Sequence, residues 1–417
     1  MHRYGPVFAC LLAAAGWAHA ASPNPDDLVA TPEIQVKARA LVRQLGSDDF
    51  PTREGAQQQL ADLGRHARPA LLSGVNTSPD PEVRLRCAQL LPAATALDVR
   101  ARLDTFLADT KGEYRHDLPA WNAFRAAVRS EWSVCGRVVW TDRALDLAAR
   151  EVFAELAAAP ANRRVLLAID GSRVELATLA LDRRHELSPP RFARRGGDDP
   201  PRRDPTLADV TALLFAESRI GSQYAPRQPP PSYLLSSSGF MTAARGTDEK
   251  AKVYRAVAAV WLDSRNDPRD MSQALTVAGN LGLTDQECGL AARLLTMPGV
   301  AAMYRSRAAS VLVSSGGRKH VPLLAKALSD TVVVATVAEN GLGLPAYEVQ
   351  VRDLALAVSV VLAGQKAEDY GFRDRYADSP PYDGRSFTYT RYYFADDAAR
   401  KKALAKWAEW RAAHPDG

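Results

Sequence analysis

The segment Asp80-Pro81-Glu82-Val83-Arg84-Leu85-Arg86-Cys87-Ala88-Gln89-Leu90-Leu91 decides the fold class. Asp80 is an N-cap residue, Pro81 suits the first helical position, and Glu82 lies where the helix dipole favours an acid. Val83, Cys87, Leu90 and Leu91 recur at the spacing of one buried helix face. Upstream, Thr31 and Pro32 open a helix whose face is Ile34, Ala38, Leu41, Val42 and Leu45, with Gly46 as its stop. A second helix is expected after Thr52, burying Ala56, Leu60 and Leu63 before Gly64. A short third one has Pro69 in its first turn and turns Leu71, Leu72 and Val75 inward.

The same pattern returns downstream in looser form. Helices are expected over 252–262 and 270–281, over 284–295 and 301–313, and over 320–328 and 347–363, with Gly282, Gly316-Gly317 and Gly364 as stops. Tyr304-Arg305 with Ala308 and Ala309, and Val351-Arg352 with Ala355 and Ala357, put small residues where two helices can approach closely. The arginines are expected at the solvent edge. Three helix pairs in roughly 115 residues fit a repeat period of about 40.

Asp80 to Arg84, followed by Ala88 and Leu91, resembles the second helix of a HEAT repeat, and Asp48-Asp49-Phe50-Pro51-Thr52-Arg53-Glu54 resembles the turn into the preceding one. The chain is similar in this to exported bacterial HEAT-repeat proteins of the armadillo-type superfamily. The resemblance implies an all-α fold, an α-solenoid of antiparallel helix pairs that bury their apolar faces only by stacking. The expected organisation is a signal peptide over 1–20 and a flexible arm over 21–30. An N-terminal HEAT-like segment covers 31–187, a Pro/Arg/Gly-rich linker 188–205, and C-terminal repeats 206–364. An aromatic loop and capping helix close the chain over 365–417. Within the first segment, helices are expected over 118–128, 143–158 and 162–187, with Trp121, Phe124, Trp132 and Trp140 filling the core where the repeat register is lost. In the last, Phe387 and Phe394 are expected to pack beneath a final helix over 396–412 carrying Leu404, Trp407 and Trp410. Residues 388–394 are the one stretch that reads as extended.

The N-terminus has a basic start, an apolar run from Val7 to Trp17, and Ala18-His19-Ala20 as a cleavage motif. That order predicts export to the periplasm or beyond the cell. The longest later apolar run, over 354–364, is too short to cross a bilayer. The 53 basic and 48 acidic side chains leave +5 spread over 417 residues, so charge gives no argument for nucleic acid. Cys87 and Cys288 sit among Ala and Leu as small core residues, and Cys135 lies in a less regular stretch. Beyond the expected signal peptide the histidines His66, His116, His185, His320 and His414 are isolated, with no H-E-x-x-H or C-x-x-C, so no metal or other cofactor is expected. Ser236-Ser237-Ser238-Gly239 lacks the first glycine of a nucleophile elbow. Gly316-Gly317-Arg318-Lys319 has fragments of an anion site but not a phosphate loop. The adjacent carboxylates Asp48-Asp49, Asp198-Asp199 and Asp396-Asp397 read as caps or solvated loop residues.

These readings point away from an enzyme and toward a non-catalytic exported scaffold that docks a protein partner on the concave face of its superhelix. Two places are candidate contacts for that partner. One is the basic cluster Arg191, Arg194, Arg195, Arg202 and Arg203; the other is the set Tyr376, Tyr382 and Tyr389 in the aromatic loop. The competing readings are an enzyme with a site assembled from distant residues, since some HEAT-like proteins resemble pigment lyases, and a structural spacer in an envelope assembly.

Overall fold

The computed structural model describes residues 22–129, 133–134, 137–138, 142–188, 204–220, 234–235, 238–338, 346–373, 387 and 392–414. Over these residues the chain is helical apart from two short hairpins. It forms two compact units, Met1–Asp117 and Leu118–Gly417.

In the first unit, α1 (Pro32–Gln44), α2 (Phe50–Leu63), α3 (Arg68–Thr77) and α4 (Pro81–Ala108) follow one another through short turns. α1 packs on α2 and α3, α3 packs on α4, and α2 lies against α4. Ala38, Leu41, Leu45, Ala56, Leu60, Leu71, Val83 and Cys87 make their shared core. The Asp80 carboxylate caps α4 by accepting from the Glu82 amide at 2.8 Å. α2 begins at Phe50, earlier than expected, because Asp49 caps it through the Thr52 amide. Thr31 makes no side-chain cap, so the start of α1 rests on the fixed φ of Pro32. Leu72 is exposed, and α4 runs on through Pro92.

Two glycines set how closely these helices approach. Gly46 directly follows the α1 C-cap Leu45, where the stop was expected, and it also serves packing: a Cβ there would lie 2.5 Å from Asp80 Oδ2 and 2.9 Å from Val83 Cγ2. At Gly74 a Cβ would meet Cys87 Sγ at 2.6 Å and Val42 Cγ1 at 3.0 Å. Gly74→Ala is therefore expected to destabilise the first unit by about 1–3 kcal/mol through overpacking, despite the better helix propensity of alanine. Adding Cys87→Ala removes the nearest atom and should restore most of the loss in a denaturant melt; no restoration would place the clash elsewhere.

The arm expected to be flexible is packed over its described residues. Ser22 and Ala30 are buried, Asn24 caps a short 3-10 turn at Pro25–Leu28, and Arg65 donates to the Leu28 carbonyl. Its proline-rich composition suggested mobility, but backbone acceptors and a small buried methyl tie it to α4 and Arg65.

The second unit opens with α5 (Trp121–Arg129) and a two-residue hairpin, β1 (Ser133–Val134) and β2 (Arg137–Val138). α6 (Arg143–Ala158), α7 (Pro160–Ile169), α8 (Arg173–Leu187) and α9 (Leu207–Arg219) follow. Phe124 stands at the centre of the aromatic core here, edge-on to Phe215 at 5.1 Å and beside Phe153 at 5.5 Å and Trp121 at 6.4 Å. Trp132 and Trp140 lie outside the described residues. α10 (Phe240–Ala244) leads into α11 (Glu249–Asp263), α12 (Pro268–Leu281), α13 (Thr284–Thr296) and α14 (Ala302–Ser315). Then come a 3-10 segment, Arg318–Ser329, the antiparallel pair β3 (Val333–Ala338) and β4 (Ala346–Gln350), α15 (Val351–Leu362) and α16 (Asp397–Ala413).

Three expectations are corrected in this unit. Residues 347–350 do not begin a helix; they pair with β3, Tyr347 opposite Val337. The β-branched run Val332-Val333-Val334 with Thr336 favours a strand, and its partner follows it. Residues 320–328 are wound as 3-10 helix with Pro322 inside, where a missing amide suits the tighter turn better than an α-helical ladder.

The third correction concerns Arg305, expected at the solvent edge, whose bonding has counterparts at three other helix starts. Arg53, Arg84, Arg163 and Arg305 each occupy the fourth position of their helix, and each donates to carbonyls upstream of that helix. Arg84 bonds the carbonyls of Ser78 and Pro79 at 2.8 and 2.9 Å, and Arg53 those of Ser47 and Asp48. Arg163 bonds those of Ala157 and Ala158. Arg305 is 2% exposed and reaches Leu295, Met297 and Val300. Only Arg305 is buried and Arg84 stays exposed, but all four supply donors to carbonyls that a helix end or a turn leaves unpaired.

Candidate functional site

α16 closes the second unit on a buried ion pair. Arg400 bonds both oxygens of Asp353, at 2.7 and 3.1 Å, as well as the Glu348 carbonyl and Asp397. Asp353 also accepts from the Gln350 amide at the start of α15. Phe387 and Phe394 are buried in this unit, and Phe394 lies under the Arg400 guanidinium. The helix then turns Ala403 and Trp407 inward.

Between α16 and the 3-10 segment Arg318–Ser329 lies a groove of about 480 Å³, inside the roughly 300–1,000 Å³ usual for small-molecule sites. Its walls are Val321, Pro322, Ala325 and Leu328 on one side and Leu404, Trp407 and Ala408 on the other. Trp407 is held edge-on to Tyr370 and stacked on Trp410, so its ring is a fixed wall. Ser329 and Arg411 bring the polar groups. The Ser329 hydroxyl already donates to the Lys326 carbonyl. Arg411 is half-buried, and its Nη1 is buried with no hydrogen-bond partner. A buried cationic donor left unmade costs free energy, and most such groups in folded proteins are paired. Leu404 and Trp407 of α16 were legible as a helix face. The opposing wall was not, because it depends on the 3-10 winding around Pro322.

Other charged clusters have structural explanations. Glu217 on α9 is buried, held by Arg184 of α8 through both oxygens, by Trp261 Nε1 at 2.9 Å and by Arg265 at 3.8 Å. Burial opposes its charge, but Arg184 and Arg265 and the bonds from Arg184 and Trp261 outweigh it, holding the carboxyl below its ordinary value. This pair joins helices on the two sides of 188–205 within one compact unit. In the first unit, burial pushes the Asp109 carboxyl up. His116, the amides of Glu113 and Tyr114, and Ser22 outweigh that and leave it below the usual range. Ser22 and His116 both bind the carboxylate, an arrangement that braces the end of α4 and does not align a hydroxyl with a base.

The fragments of an anion site near Gly316 are engaged internally. The Gly317 amide donates to His320 Nδ1, and Lys319 pairs with Asp285 at 2.6 Å. Asp49 and Asp396 are helix caps. Cys87 and Cys288 are buried free thiols, and burial raises the latter to about 11. Among the described residues no three His, Cys, Asp or Glu side chains gather to hold a metal ion, and no helix is long and apolar enough to cross a membrane.

The partner contacts expected from sequence, Arg191, Arg194, Arg195, Arg202, Arg203, Tyr376, Tyr382 and Tyr389, lie outside the described residues, as do Cys135 and residues 1–20. No family model, curated protein or solved structure matches the chain.

Proposed function

We propose that the protein is an exported interaction scaffold built as HEAT-like helix pairs, with no chemistry of its own. The observation that carries this reading is the order of packing. In the first unit the first members of successive pairs, α1 and α3, lie together, and so do the second members, α2 and α4. In the second unit α11, α13 and the 3-10 segment neighbour one another in sequence, while α12, α14 and α15 do the same. Stacking of this kind is how solenoid repeats bury a core that no single pair could. The recurring fourth-position arginines support a common repeat, and the basic start, the apolar run from Val7 to Trp17 and the Ala18-His19-Ala20 motif support export.

A docking surface needs accessible apolar side chains. Phe50 on α2 and Leu85 on α4 are 60% and 56% exposed on helices that pack together. Such residues mark interaction surfaces when they cluster. The test is affinity co-purification from the exported fraction with the natural chain and with Phe50→Ser/Leu85→Ser as bait. A partner recovered reproducibly with the first and lost with the second, at unchanged melting temperature, is the expected result. Absence of any reproducible partner, or indifference to the double substitution, counts against the scaffold. Mass spectrometry of the exported chain should find Ala21 as its first residue.

A further inference from the structure

We propose that the groove between the 3-10 segment Arg318–Ser329 and α16 binds an amphipathic monocarboxylate, its apolar tail between Val321 and Trp407 and its carboxylate on Arg411. The inference goes beyond the scaffold reading and needs no partner protein. Three observations carry it. The groove is large enough for a small organic ligand, and seven of its nine lining residues are apolar. Arg411 is the one charged residue of the lining, and with its Nη1 buried and unpaired its guanidinium is not saturated, so an acceptor in the groove would gain a charge-assisted bond. The lining offers almost nothing else to hydrogen-bond, since the Ser329 hydroxyl is engaged with Lys326.

That third point selects the ligand class. A peptide laid in the groove would bring backbone amides and carbonyls that the lining cannot satisfy, at a cost for each one desolvated. An acyl or arylalkyl chain has no such groups. A neutral tail alone would leave Arg411 unmade, and a cationic amphiphile would face it with like charge. A single carboxylate answers the guanidinium, which presents paired donors to a planar anion.

Titration calorimetry of the full chain with dodecanoate, kept below its micellar concentration, tests this directly. Saturable one-to-one binding is expected, with dodecanol at least tenfold weaker and dodecyltrimethylammonium unbound. Arg411→Met keeps the apolar stem but removes the charge. It should weaken dodecanoate by about 10–100-fold, the range for a hydrogen bond to a charged group, and leave dodecanol unchanged. Ala408→Phe fills the groove at an exposed helix position and should weaken both. Circular dichroism melts confirm that each variant is folded; if Ala408→Phe is not, the Arg411→Met comparison decides alone. Absence of saturable dodecanoate binding overturns the proposal. So does equal affinity for dodecanol, or dodecanoate binding that Arg411→Met does not alter. Tighter binding of a peptide ending in a free leucine carboxylate would overturn it in favour of a polypeptide terminus.

Discussion

Ala308→Asp is expected to abolish cooperative melting of the second unit's C-terminal helices at neutral pH. Ala308 has no exposed surface on α14, and its neighbour Ala309 is buried as well. A carboxylate there must either be buried without a partner or force α14 away from the helices it packs on, α12, α13 and α15. Unpaired buried charge belongs to the small class of substitutions costing more than about 4 kcal/mol, a large share of the roughly 5–15 kcal/mol that stabilises a domain. Met303→Asp on the same helix is the control, because Met303 is 68% exposed. It should melt within about 0.5 kcal/mol of the natural chain. Coincident melting of Ala308→Asp and Met303→Asp would show that this helix face is not part of the packed core.

Glu217→Gln should cost about 3–5 kcal/mol at neutral pH, the usual penalty for breaking a buried ion pair by removing one partner. Glutamine keeps the shape and can still accept from Trp261, but it leaves Arg184 and Arg265 buried without their anion. The pH dependence follows from the depressed Glu217 value. A carboxylate whose folded pKa lies below its unfolded one stabilises fully above the unfolded value, and loses that contribution as pH falls through the folded one. The gap between the natural chain and Glu217→Gln should therefore be constant near neutrality and narrow in acid, below the ordinary glutamate value of 4.5. Melting temperatures from pH 7 down to pH 3 check this. A gap that widens in acid would mean that Glu217 is not the charged partner of Arg184.

The helices were largely legible because their signals are local. Asp80-Pro81-Glu82 marks a helix start through capping and a fixed φ, whatever lies around it. The range 143–158 is the observed α6, and Gly282 ends α12 in the left-handed conformation the stop required. Signals failed where two structures share one pattern. Tyr347 to Gln350 fits an apolar helix face and a strand equally well, and pairing with Val333–Ala338 chose the strand. Arg305 carries the same charge as a surface arginine, and nothing near it in sequence shows that the carbonyls of Leu295, Met297 and Val300 converge on it.

The candidate groove shows the same division. Leu404 and Trp407 declared a helix with an apolar face, but its opposite wall is a 3-10 segment more than seventy residues upstream. What the sequence by itself determined is where helices begin, which faces are apolar, and that the chain is all-helical in the main. These depend on propensity, caps and periodicity, which act over one or two turns. What only the tertiary structure decided is which faces meet, which charges are buried together, and where a cationic donor is left without an acceptor. Those outcomes depend on residues far apart in the chain, because desolvation and hydrogen-bond satisfaction belong to the packed surroundings of a group and not to its sequence neighbours.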